Sequence, residues 1–156
     1  MKMNMKMNRQ IGFSLIELMI AMAMVAILST VAYASYSTSI TKAKRAEAKA
    51  ALYKAMQQEE RFYTQNNSYI EFGQSSSDAN ASSFSWYSGD RAIRSAYELN
   101  AVACKDQKIQ SCVEITATPG TANVDRHFQD NECGNFSLTS TGSKSFSGNG
   151  SKDQCW

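Results

Sequence analysis

GFSLIELMIAMAMVAILSTVAYASY, residues 12 to 36, is the stretch on which the reading of the whole chain turns. After Gly12 comes a long, mostly apolar run whose only formal charge is Glu17. A helix rises about 1.5 Å per residue, so such a run can cross a bilayer core of roughly 30 Å. Upstream stand Lys2, Lys6 and Arg9 with no acidic residue. The positive-inside rule then keeps the N-terminus in the cytoplasm and sends the remainder outward.

Glu17 is the anomaly in this run. A carboxylate inside an apolar helix costs about 2.5–3.5 kcal/mol on insertion scales and calls for a cationic partner, which the run does not supply. Cleavage after Gly12 would supply one. A new α-amino group on Phe13, one helical turn from Glu17, sets a cation and an anion at similar depth in neighbouring copies, a head-to-tail polymerisation device. The competing reading is an ordinary secretory signal cut at Ala32-Tyr33-Ala34. The apolar run, however, exceeds the usual 7–15 residues of such a signal (about that range) and contains Glu17.

The 156 residues leave room for one small domain beyond the apolar helix. All four cysteines lie in its C-terminal part, and two disulfides persist only in an oxidising periplasm or outside the cell. Removing Lys2, Lys6 and Arg9 from the 16 basic residues leaves 13 against 14 acidic ones, a balance of −1 that gives nucleic-acid binding no support from net charge. Met1, Met3, Met5 and Met7 leave the translation start open.

From Ser37 to about Tyr63 apolar residues recur at helical spacings, with no Pro or Gly to stop the helix before Asn66-Asn67-Ser68. Its outer half is expected to lie on a sheet. Lys42, Arg45 and Lys49 share one face, read as a solvated face or an inter-subunit ion-pairing face toward Glu59 or Glu60. A polar loop follows over 67–94, in which Phe84, Trp86 and Tyr87 are expected to pack on the sheet. Strand signals then appear at Tyr97–Ala103, Val113–Thr118, Phe136–Thr139 and Lys144–Ser147, and without an intervening helix they predict an antiparallel meander. The fold class is α+β, a long N-terminal helix on a small antiparallel sheet. The chain divides into a leader (1–12), a membrane and polymerisation helix (13–36) and an exported globular domain (37–156).

The short basic leader ending in Gly12, then Phe13, Glu17 and an unbroken apolar helix, resembles the type IV pilin family. The segment Glu60-Arg61-Phe62-Tyr63-Thr64-Gln65-Asn66 and the closing run ITATPG…CGNFSLTSTGSKSF…CW resemble minor pilins of the PilE and ComP type. The resemblance implies that prepilin peptidase cuts between Gly12 and Phe13 and N-methylates Phe13, and that Glu17 serves subunit docking. It also implies a Cys133–Cys155 disulfide, beside which Cys104 and Cys112 look like a second clip on the first hairpin. The family often carries Gly and Pro where this chain has Ala26 and Ala34, so the helix is expected to be unusually continuous. Its partners are other pilin subunits, prepilin peptidase, the inner-membrane pilus assembly platform, and a surface receptor or DNA. Such a subunit sits in the inner membrane as a single-pass protein before it enters the extracellular pilus.

Nothing in the sequence signals catalysis, a metal or a cofactor. His127 is the only histidine, no Ser stands in a G-x-S-x-G elbow and no Cys pair has zinc spacing. Asp125, His127 and Asp130 are read as solvated residues of a polar loop. The first functional reading is a minor pilin for filament initiation or assembly, supporting twitching or adhesion. The alternative is a competence pilin that holds DNA through Lys105, Lys108, Lys144 and Lys152, and a type II secretion pseudopilin is the third.

Overall fold

The computed structural model describes residues 12–156; Lys2, Lys6, Arg9 and the four methionines of the leader lie outside the described residues. One long helix, α1 (Leu15–Asn66), is followed by strands β1 (Tyr97–Ala103), β2 (Val113–Pro119), β3 (Phe136–Thr139) and β4 (Lys144–Phe146) and by a short helix, α2 (Lys152–Cys155). By its contacts the chain divides between Ile40 and Thr41 into two units.

In the first unit the helix starts where the backbone amide of Glu17 donates to the Ser14 hydroxyl at 3.2 Å. Ser14 is thus the N-cap and Glu17 the third helical residue, a position where a carboxylate complements the helix dipole. The apolar side chains that follow, among them Leu15, Ile16, Leu18, Met22, Ile27 and Leu28, are all exposed. Ser29 and Thr30 turn their hydroxyls back onto the carbonyls of Val25 and Ile27, both at 2.7 Å. α1 remains helical through Ala26 and Ala34. Among the described residues, no helix is long and apolar enough to cross a membrane.

The second unit, Thr41–Trp156, holds the core. The strands form an antiparallel meander in the order β1-β2-β3-β4. Inward residues alternate along the strands, Tyr97, Leu99 and Ala101 on β1, Val113, Ile115 and Ala117 on β2, Phe136 and Leu138 on β3. That is the period of two expected of a sheet with one covered face. The covering stripe on α1 is Arg45, Ala48, Leu52, Ala55 and Glu59, spaced three or four residues apart. Here the structure corrects the sequence reading: Arg45 is buried rather than on a solvated face, Lys49 donates to the Cys155 carbonyl at 3.0 Å, and Glu59 is buried with no ion pair among the described residues. Helical spacing identifies residues that share a face, but not which face turns inward.

α1 ends at Asn66, and Asn67 takes the left-handed conformation (φ 54°) that stops a helix. The loop beyond it folds along the outer edge of β1. The amides of Ala101 and Leu99 donate to the carbonyls of Phe72 (2.8 Å) and Trp86 (2.7 Å), and Ser88 donates to Tyr97 (3.0 Å). Neither these bonds nor the 3-10 turns at Ala81–Ser83 and Ala92–Arg94 have a local signature in the sequence. Phe84 is buried and stacks on Phe72 at 4.8 Å, while Trp86 and Tyr87 meet edge to face.

Candidate functional site

Three places bear on function: the start of α1, the basic residues around the sheet, and the buried cluster that ties the C-terminal loops to α1. At the start of α1, Phe13 is 83% exposed and Glu17 lies in the first turn with a solvent-facing side chain. Gly12 is exposed as well, and a side chain there would meet nothing. As the third helical residue after the Ser14 cap, Glu17 carries its carboxylate near the positive end of the helix dipole.

The four lysines read as DNA contacts fall on three elements. Lys105 and Lys108 are exposed in the turn between β1 and β2, which the Cys104–Cys112 disulfide closes. Lys152 is exposed at the first position of α2. Lys144 opens β4, and its ammonium sits over the rings of Tyr53 (5.3 Å) and Trp156 (5.5 Å). That ammonium is already engaged by two aromatic faces. The structure thus brings Lys105 and Lys108 into one turn but engages Lys144 elsewhere. Sequence reasoning did not single out Arg91, Arg94 and Lys44, which line one open pocket with Glu47 and Asp90.

The buried cluster centres on Asp130. Arg45 grips its carboxylate with two donors, Nε to Oδ2 at 2.7 Å and Nη2 to Oδ1 at 2.6 Å, and Nη2 also reaches Glu132 at 2.8 Å. The Tyr97 hydroxyl donates to Oδ2 at 2.6 Å and the Cys133 amide to Oδ1 at 3.0 Å. Burial pushes the Asp130 carboxyl up, but these donors, Arg45 foremost, outweigh it and hold it below the usual range. The hydrogen bond to Asp130, against the cost of burial, raises the Arg45 guanidinium further; burial and the same carboxylate raise the Tyr97 phenol. Asp130 is therefore not the solvated loop residue that its polar neighbours suggested, and it is committed away from Asp125 and His127. Among the described residues no cluster of His, Cys, Asp or Glu could hold a metal.

The Cys133–Cys155 disulfide starts three residues beyond Asp130 and closes the loop that carries β3 and β4. Gly134 follows with φ +64°, where a side chain would collide with Ser147 and the Gly148 amide, so the reversal after Cys133 requires glycine. Trp156 donates its indole N–H to the Ser145 carbonyl at 2.7 Å and meets Phe136 edge to face at 5.7 Å.

Comparison with known proteins accords with this geometry. Residues 7–33 match the prokaryotic N-terminal methylation motif, the segment that contains Gly12, Phe13 and Glu17. No curated protein matches the chain. Among solved structures, a type IV pilin from Shewanella oneidensis is similar at 26% identity, over 66% of this chain and 88% of that one, with a TM-score of 0.41. Residues 34–137, more than half of the chain, match the family described as type IV minor pilin ComP, DNA uptake sequence receptor. With a methylation motif at the start of α1 and, in the second unit, residues 41–66 of α1 seated on a disulfide-stapled antiparallel meander, the chain is a type IV minor pilin and belongs to the ComP family.

Proposed function

We propose that this minor pilin is held in the inner membrane by residues 13–36 with its N-terminus in the cytoplasm, is cut between Gly12 and Phe13 by prepilin peptidase, and enters the pilus by docking through Glu17. The single observation that carries this is a run of exposed apolar side chains interrupted by one carboxylate one turn from Phe13. Such a surface is costly in water and needs a lipid or protein cover. The back-bonded hydroxyls of Ser29 and Thr30 suit either cover, because they present no unpaired donor. The assembly platform of the inner membrane and other pilin subunits are the partners this reading requires, and filament initiation or assembly is its role.

The test compares membrane-bound and sheared-pilus fractions of wild type, Glu17→Ala and Glu17→Gln. Insertion and processing proceed in all three, since the cleavage site is intact. Loss of a charge-assisted contact is expected to reduce Glu17→Ala in the pilus fraction about tenfold or more, with partial recovery in Glu17→Gln. Equal recovery of all three removes docking from the role of Glu17.

A second reading, reception of DNA, is supported by the description of the family and by the exposed Lys105 and Lys108 held in a disulfide-closed turn. Binding that uses phosphates weakens steeply with salt, by a slope of about 0.9 per contact. Lys105→Ala with Lys108→Ala should lower that slope by about 2. An unchanged slope places any DNA contact elsewhere.

A further inference from the structure

Two carboxylates are buried among the described residues, and they are treated very differently. Asp130 has Arg45. Glu59, fully buried near the end of α1, accepts the Ile70 amide at 3.1 Å on Oε2, while its Oε1 has no partner. A buried carboxylate with one neutral donor is far costlier when ionised than when protonated.

Among the described residues Glu59 forms no ion pair. On α1 the nearest ionisable groups are Glu60, of like charge, and Tyr63; Arg61 is exposed, two positions along, and so points elsewhere. The segment after the helix brings Tyr69, whose ring lies tilted against Tyr63 at 4.6 Å and whose hydroxyl donates to Glu60 at 3.0 Å. It also brings Glu71, which accepts the Ala103 amide at 3.4 Å. On the inward face of the sheet the titratable groups among the described residues are Tyr97, which is committed to Asp130, and Lys144, whose ammonium lies over the rings of Tyr53 and Trp156. Two residues past Ile70, the Phe72 carbonyl takes up the Ala101 amide on the edge of β1. Glu59 therefore sits where the chain turns back from α1 toward the sheet.

We propose that Glu59 is a proton-controlled latch: with its carboxyl protonated, residues 67–72 stay folded onto the end of α1 and over the β1 edge, and its ionisation releases them. Burial first, then the charge of Glu60, raises this carboxyl from 4.5 to about 7 despite the Ile70 amide. Because the closed form holds its proton more tightly than the open form, the contribution of the latch is full below about 4.5 and is lost as pH rises through 7. The window covers the pH range between an acidified and a neutral exterior.

The experiment is amide hydrogen exchange on the full chain in detergent micelles at pH 5 and pH 8, expressed as protection factors so that intrinsic exchange cancels. In the wild type, peptides covering residues 67–72 are expected to lose protection by roughly 50- to 100-fold over that range, while the β2 peptide holds. Glu59→Gln, neutral at both values, should show less than a threefold change, and Glu60→Gln should keep a clear loss. An equal loss in Glu59→Gln, no loss in the wild type, or a parallel loss across β2 each overturns the latch. Should Glu59→Gln fail to fold, a carboxyl carbon titration of the wild type by NMR decides: one glutamate titrating near 7 supports the proposal, and all of them near 4.5 overturn it.

Discussion

Arg45→Met is the most direct probe of what holds the C-terminal loops on α1. The substitution keeps an apolar stem of similar length but removes all three hydrogen bonds, 2.6–2.8 Å long, to Asp130 and Glu132. Glu132 is half exposed and recovers its hydration, so little is lost there. Asp130, whose side chain is fully buried, keeps only the Tyr97 hydroxyl and the Cys133 amide. Breaking a buried pair from one side costs about 3–5 kcal/mol, against a total stability of about 5–15 kcal/mol for a domain. At about 4–5 °C per kcal/mol for a domain of roughly 100 residues, the melting temperature at pH 7 should fall by about 15–20 °C. The assay is thermal unfolding by circular dichroism, with both disulfides intact, at pH 7 and pH 4. The pH arm carries the sign. In the wild type Asp130 lies below the usual carboxylate range, so its contribution is present at neutral pH and is lost as pH falls through its folded value. Without Arg45, burial is opposed only by the Tyr97 and Cys133 donors, so the Asp130 carboxyl is pushed up and takes up a proton more readily on acidification, which relieves the unpaired charge. The deficit of Arg45→Met should therefore shrink on acidification. A melting temperature within about 3 °C of wild type at pH 7, or a deficit that does not shrink at pH 4, would refute the reasoning.

Three further outcomes are expected. Mass spectrometry of the mature chain should find methylated Phe13 at the N-terminus; finding Ser35 there instead would return the protein to the ordinary secretory class. Cys155→Ser reopens a loop with a sequence separation of 22 and should cost about 3 kcal/mol in chemical denaturation, with an accompanying fall in subunit abundance. Lys144→Ala removes a cation held over two rings and should lower stability by about 0.5–1 kcal/mol while leaving the salt dependence of any DNA binding unchanged; a reduced slope would show that this ammonium leaves the rings to meet phosphate.

The strands were legible because the pattern of two is local: Tyr97, Leu99 and Ala101 declare an inward face without help from the rest of the chain. The helix was legible for a similar reason, and Asn66-Asn67 marks its end within the sequence itself. The inward stripe of α1 was not, because Arg45 and Glu59 stand at its two ends and look like surface residues. What makes Arg45 an interior residue is Asp130, 85 positions away, and no local pattern conveys that pairing. The loop along β1 was hidden for a different reason. Its bonds are made by the backbone of Phe72, Trp86 and Ser88, and every residue type offers the same backbone groups. At the candidate site, Gly12, Phe13 and Glu17 form a contiguous signal and could be picked out at once, whereas Lys144 could be assigned to aromatic rings only after folding brought Tyr53 and Trp156 beneath it.

The closed margins of the sheet set limits on how copies of this domain can meet. On one margin the loop already occupies the amides of Leu99 and Ala101; on the other, β4 is only three residues long and opens on Lys144. A second molecule arriving at either side finds few free backbone groups to pair with, so crowding does not recruit strands from one domain into the next. Proteins displayed at high density risk fusing into irreversible cross-β aggregates, and here the loop along β1 and the shortness of β4 with its edge lysine oppose that route. Copies can then lie side by side and still part again, as a fibre that is built and taken down would require.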